Sequence, residues 1–302
     1  MQTNIIYSER YNLNIGQHVF PTVKYNLIKK RLAESEDLKD RILFIEAEPA
    51  SLDDLLLVHT EGYLDKLLNG TLSIEEIYRL ELPYSKEIVD GSILCCGGTI
   101  ACSAVALEKR MAIHLGGGFH HAFPDHGEGF CVLNDVAVAI KKLKRDGKIE
   151  RALIIDCDLH QGNGTAFIFS KDRDVFTFSI HQQNNYPSFK PKSDLDIGLE
   201  DGTGDEEYLA QLRENIPPVI DKFRPEVIIY LAGADPYQDD QIGGLGLAVE
   251  GLKQRDEFIY TQALNQRIPL AIVLAGGYAR RLEDTVKIHF NTVAGAIKMF
   301  GS

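Results

Sequence analysis

The chain has 302 residues, of which 44% are hydrophobic, and a formal net charge of -12. Such a length buries a large core without disulfides or a structural metal, and an acidic balance with no Lys/Arg stripe excludes the electrostatic footprint of a nucleic-acid binder. Five cysteines, odd in number and without CxxC spacing, suit a reducing compartment. Met1 to Arg10 carry no basic start followed by an apolar run, and no stretch reads as a membrane span, so a cytoplasmic chain with no membrane partner is expected.

Helical periodicity is predicted over 54–68 and 86–109, and a strand over 110–115 then runs into Gly116-Gly117-Gly118-Phe119-His120-His121. A helix over 135–145 is framed by Asn134 as a cap and Gly147 as a stop. The next strand, 152–156, ends in Asp156-Cys157-Asp158-Leu159-His160. A strand over 175–180 and a helix over 206–223, expected to be interrupted at Pro217-Pro218, come next. Strand 227–231 leads into Ala232-Gly233-Ala234-Asp235, and helix 250–264 follows it. Strand 270–274 leads into Ala275-Gly276-Gly277-Tyr278, ahead of a last helix over 281–299. Alternating strands and helices, without linker or repeat, predict a single α/β domain over 1–302: a central, mostly parallel sheet with helices on both faces.

Four of these strands end in polar or glycine-rich motifs. Ligands of open α/β sheets bind at the carboxyl ends of strands, so the four motifs should meet in one cleft. In a continued strand, Asp156, Asp158 and His160 share a face while Cys157 points away. Asp158 and His160, joined by Asp235, make a three-ligand site that suits zinc and would also accept ferrous iron or cobalt. Helix caps and turns could account for either aspartate alone, but not for His160 or the convergence.

Beside this set, His120 and His121 follow three glycines, whose irregular backbone lets both rings reach the cleft. Such a pair can divide base and acid work, with Asp156 and Asn163 as partners that orient the rings. Tyr278, after two glycines, can donate to a developing oxyanion. Gly127-Glu128-Gly129-Phe130-Cys131 reads as a turn that brings backbone close to a ligand, with Phe130 either walling a tunnel or simply buried. Cys131 and Cys157 are expected to be buried thiols without a catalytic part. His18, His59 and His289 receive no role, and His181 reads as an ordinary histidine.

Taken in order, GGGFHH (116–121), GEGFCVLND (127–135), IIDCDLHQGNGT (154–165), AGADP (232–236) and GGY (276–278) resemble the zinc-dependent histone deacetylase family of the arginase/deacetylase fold. Compact length, the triple glycine and Asn185-Tyr186-Pro187 most resemble its class IV branch and bacterial relatives. The resemblance implies that Asp158, His160 and Asp235 hold one zinc, that His120 and His121 are the catalytic pair, and that Tyr278 polarises the amide carbonyl. It further implies substrate contacts at Gly129, through its carbonyl, and at Phe130 and Tyr186. A potassium site would use Asp156, main-chain oxygens of Asp158 and His160, and Ser179. Asn163 departs from members with an acidic partner there, which should leave His121 less readily protonated. Glu81 only loosely matches the family's acidic rim.

The expected reaction is zinc-dependent hydrolysis of Nε-acyl-lysine, acetyl or longer, in a protein or peptide. An acylpolyamine deacylase is the alternative within the fold; a binuclear manganese ureohydrolase and a non-catalytic acyl-lysine reader fit less well. Oligomeric state is not readable from the sequence.

Overall fold

The computed structural model describes residues 2–301. Eight strands, β1 (Thr3–Tyr7), β2 (Ile42–Glu46), β3 (Met111–His114), β4 (Ala152–Asp156), β5 (Val175–Gln182), β6 (Leu195–Leu199), β7 (Val227–Leu231) and β8 (Leu270–Val273), form one sheet in the order β2-β1-β3-β8-β7-β4-β5-β6. Every pairing between these strands is parallel. The five strands at the centre, β3, β8, β7, β4 and the adjoining β1, are buried throughout, as a sheet covered on both faces requires.

Three strands escape the pattern reading. β1 has only five residues near the amino terminus, β2 is a short apolar run of which only Ile42 is fully buried, and the outer strand β6 alternates polar and apolar side chains because one face is exposed. The helices Lys24–Glu34 and Ile74–Leu80 are also additional to the expectation. The region 54–68 is two helices, Leu52–Leu55 and Glu61–Asn69, and the break has a local cause. Thr60 caps the second helix by accepting from the Tyr63 amide, while buried His59 is held between the Phe123 carbonyl (3.1 Å) and the Asn134 amide (3.0 Å). In contrast, Asp205–Phe223 runs unbroken through Pro217 and Pro218. Leu209, Leu212, Ile216 and Ile220 are buried along one face, so packing outweighs the two missing donors.

The helix Lys86–Lys109 corrects the expectation that no segment resembles a membrane span, since its length and composition are those of one. It is a core helix. Its small residues admit close neighbours: a Cβ at Gly97 would lie 1.8 Å from the Glu48 carbonyl oxygen, so only glycine fits there. Cys95, Cys96 and Cys102 are buried on this helix, and Cys131 and Cys157 are buried elsewhere; all five are free thiols.

Candidate active site

The carboxyl ends of β3, β4, β7 and β8 are neighbours in the sheet, so the four motifs meet as expected. β4 stops at Asp156, and the next four residues leave the strand; Asp158 and His160 reach the cleft from an irregular turn and not from a continued strand face. Asp156 remains one step back, paired in register with Ser179 of β5.

Asp158, His160 and Asp235 are buried, with ligand atoms all within 4.8 Å of one another. His160 Nδ1 lies 3.1 Å from Asp158 Oδ1 and 3.4 Å from Asp235 Oδ2. Second partners fix both carboxylates: the Gly276 amide donates to Asp158 Oδ2 at 2.8 Å, and the Leu159 amide to Asp235 Oδ1 at 3.0 Å. Asp235 Oδ2 is buried without any hydrogen-bond partner, which is costly unless a cation satisfies it. A Cβ at Gly276 would come 2.1 Å from that same oxygen, so glycine keeps the space open. An oxygen, nitrogen, oxygen donor set of this kind fits zinc. Burial opposes charge on His160, but Asp158 and Asp235 outweigh it and raise its pKa to about 10; a cation at the centre would compete with that proton.

The two histidines stand on a turn fixed from below. Buried Asp135 accepts from the amides of Gly118 (3.0 Å) and Phe119 (2.7 Å), and through Thr99 it connects to His114 and Tyr11. Thr165 donates its amide to the His120 carbonyl at 3.0 Å. His120 Nδ1 lies 2.7 Å from Asp156 Oδ2, His121 Nδ1 lies 2.7 Å from Asn163 Oδ1, and the two Nε2 atoms are 3.1 Å apart. The rings sit in opposite fields. Burial opposes charge on His120, yet Asp156 and Asp158 prevail and raise its pKa to about 9. Burial, then the charges on His120 and His160, hold His121 well below its ordinary value.

Tyr278 is 8% exposed, and its position is set by its backbone. Its amide donates to Asp240 at 2.7 Å and its carbonyl accepts from Gln241. Its ring meets Phe20 and Phe130 edge-on, at 6.2 and 5.8 Å between centroids. Phe130 lines the same cleft as His120, His121, Asp158, His160 and Tyr278. Gly129 belongs to this lining as well, and a Cβ there would lie 2.8 Å from the Tyr186 ring. Tyr186 faces His121 edge-on at 5.0 Å, opposite in character to the apolar Phe130 wall. Ser179 Oγ contacts His181 Nδ1 at 3.0 Å. Near the mouth, His18 stacks edge-on against Phe130 at 4.8 Å and meets the Glu81 carbonyl at 2.8 Å, while burial raises the Glu81 carboxyl above its usual pKa.

Several supporting residues are not apparent from the motifs. Lys24 is buried, donates to the Ala275 carbonyl at 2.8 Å, and sits 5.9 Å from the Tyr278 ring centre. Desolvation lowers its pKa to about 8. Arg255 is wholly buried behind the turns that carry Asp158 and Asp235 and donates from Nη1 to the carbonyls of Cys157 (3.2 Å) and Gly233 (2.6 Å). It is paired with Asp256 at 2.8 Å. His289 packs beneath the Gly276-Gly277 turn, since a Cβ at Gly277 would lie 3.2 Å from its Nε2. An Arg-Asp pair inside an amphipathic helix ordinarily reads as solvated surface, so only its neighbours reveal it.

Comparison with known proteins agrees with this architecture. Residues 18–293 match the histone deacetylase domain. An uncharacterised protein of Picosynechococcus is 38% identical over 288 residues, covering 94% of this chain and 95% of the relative. Histone deacetylase 2 of Arabidopsis thaliana is 31% identical over 311 residues, covering 95% and 78% respectively. A probable deacetylase of Archaeoglobus fulgidus is 31% identical over 309 residues, covering 92% and 82%. With a family match across nearly its whole length and a parallel α/β sheet that gathers its strand-end motifs, the chain belongs to the histone deacetylase family of amide hydrolases.

Proposed function

We propose that the chain is a zinc-dependent deacylase acting on Nε-acyl-lysine in proteins or peptides. One observation carries the reading: Asp158 and His160, two members of a buried three-ligand set with Asp235, line a single cleft together with His120, His121 and Tyr278. Zinc bound by Asp158, His160 and Asp235 would supply Lewis acidity, polarising a carbonyl and making water more acidic. His121, with Nδ1 engaged by Asn163, takes the water proton at Nε2. His120, paired with Asp156, keeps positive charge beside it and, with His121, returns a proton to the departing amine. The Tyr278 hydroxyl donates to the carbonyl oxygen as charge develops there. Gly129 offers its carbonyl to the substrate amide N–H, and Phe130 and Tyr186 flank the aliphatic arm. Asp156, Ser179 and the main-chain oxygens of Asp158 and His160 would hold potassium beneath.

A second observation bears on acyl length. An apolar recess lined by Tyr11, Leu13, Ile15, Phe20, Phe119 and Phe130 shares its three phenylalanines with the cleft. Acyl groups longer than acetyl would bury methylenes there, at about 0.8 kcal/mol each.

The test offers zinc-loaded protein an acetyl-lysine peptide, a long-chain acyl-lysine peptide and an acetylated polyamine. Turnover of the peptides is expected, with Tyr278→Phe lowering kcat by about 10²–10³-fold. Asp235→Asn is expected to abolish stoichiometric metal in elemental analysis. Absence of amide turnover by protein carrying one zinc per chain would overturn the reading, and exclusive turnover of the polyamine would transfer it to the alternative substrate class.

A further inference from the structure

The hydrogen bonds around Asn163 have a direction that one neighbour dictates. Asn163 Nδ2 lies 2.6 Å from Glu128 Oε1, and Asn163 Oδ1 lies 2.7 Å from His121 Nδ1. Burial opposes ionisation of Glu128, but hydrogen bonds from His126, Asn163 and Tyr186 together hold its carboxyl below the usual range. An ionised carboxylate only accepts, so the amide NH2 must face Glu128. The amide oxygen must then face His121, which in turn must carry its proton on Nδ1 and keep its lone pair on Nε2, the nitrogen that faces His120 Nε2 at 3.1 Å.

Without Glu128 no group on the Asn163 side decides between the two faces of the amide, and only the His120 Nε2 contact at 3.1 Å still opposes a proton on His121 Nε2. A flipped Asn163 would donate to His121 Nδ1, move the imidazole proton to Nε2, and point it into the cleft where a base is needed. Glu128 is well placed to prevent this because its turn is rigid. Its amide and carbonyl pair with Cys131 at 3.0 and 2.8 Å, and the next two amides are held by the carbonyls of Arg79 and Leu80. Its second oxygen, Oε2, faces His126 Nε2 at 3.6 Å.

We infer that Glu128 is a positioning residue for His121, acting through Asn163 to fix the neutral imidazole as its Nδ1–H tautomer. The inference rests on the deacylase reading only for its kinetic consequence; the tautomer itself can be observed without turnover.

The experiment uses zinc-loaded protein with ¹⁵N-labelled histidine, in which long-range ¹H–¹⁵N spectra distinguish protonated from bare ring nitrogens. Wild type is expected to show His121 with a proton on Nδ1 and none on Nε2. Glu128→Ala is expected to show mixed tautomers, and kcat for an acetyl-lysine peptide about 10- to 100-fold lower with KM nearly unchanged. Asn163→Asp in the Glu128→Ala background places an acceptor directly on His121 Nδ1, and should restore both the single tautomer and most of kcat. Asn163→Asp alone should be worse than this double variant, because two carboxylates then abut. Glu128→Gln preserves the shape of the turn and should give intermediate tautomer mixing. An unchanged His121 tautomer in Glu128→Ala, or a double variant no better than Glu128→Ala, would overturn the inference. If wild type turned over no amide, the deacylase reading would fail while the spectra still decided the role of Glu128.

Discussion

His121→Ala is expected to lower kcat by about 10²–10⁴-fold while metal content and melting temperature stay near those of wild type. The two histidines are chemically unequal although they are adjacent. His120 Nδ1 is committed to Asp156, and the surrounding carboxylates keep that ring charged. His121 is held neutral, and Nε2 is its one ring nitrogen not taken up by Asn163. Removing His121 therefore deletes the proposed base but leaves no buried charge unpaired, since Asn163 is uncharged. His120→Ala should differ in kind: it strands Asp156 in a buried site, so stability falls along with activity. Measuring kcat, zinc content and thermal unfolding for both variants separates the two roles. His121→Ala protein that kept more than about a tenth of wild-type kcat would show that proton transfer runs elsewhere.

Arg255→Met is expected to destabilise the fold by about 3–5 kcal/mol in urea denaturation, the range found when one partner of a buried ion pair is removed. Arg255 is 0% exposed and Asp256 2%, so neither charge has access to water. Asp256 also accepts from Tyr230 and Thr292 at 2.5 Å each, so the network joins β7 to two helices. The loss should extend to the site as well, because Arg255 Nη1 ties together the carbonyls of Cys157 and Gly233, one beside Asp158 and one two residues before Asp235. Zinc affinity is therefore expected to weaken with stability. Arg255→Lys should not rescue, because a single ammonium cannot replace the planar fork that serves Asp256 and two carbonyls together. Removing both charges, as in Arg255→Met with Asp256→Asn, should cost less than Arg255→Met alone. A change under about 1 kcal/mol in Arg255→Met would show that the network is not coupled to folding.

The strand-end motifs were readable because parallel α/β chains place ionisable residues where apolar runs stop. Asp156 to His160, Asp235 and Tyr278 each follow a buried strand, and four such strands lie side by side. What escaped the sequence depends on contacts between distant segments. Glu128 stands in a turn that was legible as a turn, but its partner Asn163 is 35 residues away. Lys24 reaches the turn before Tyr278 across 251 residues, from a helix that periodicity did not disclose. The outer strand β6 was obscured for a different reason: its exposed positions, Asp196 and Gly198, dilute the apolar signal that marks the central strands. The break at His59 likewise required knowledge of Phe123 and Asn134, which only the folded chain brings near.

The five free thiols are distributed between the long core helix, the turn before Leu133 and the strand end at Cys157, and burial raises the pKa of each, to about 12 at Cys157. A thiol attacks an electrophile as thiolate, so none of them can react while it stays enclosed. Each is therefore silent in the closed molecule and speaks only when its own segment opens. Cys157 lies directly beside Asp158, Cys131 follows the Gly129-Phe130 turn, and the other three lie on the long core helix, so their labelling rates would rank the local opening of the cleft against that of the core.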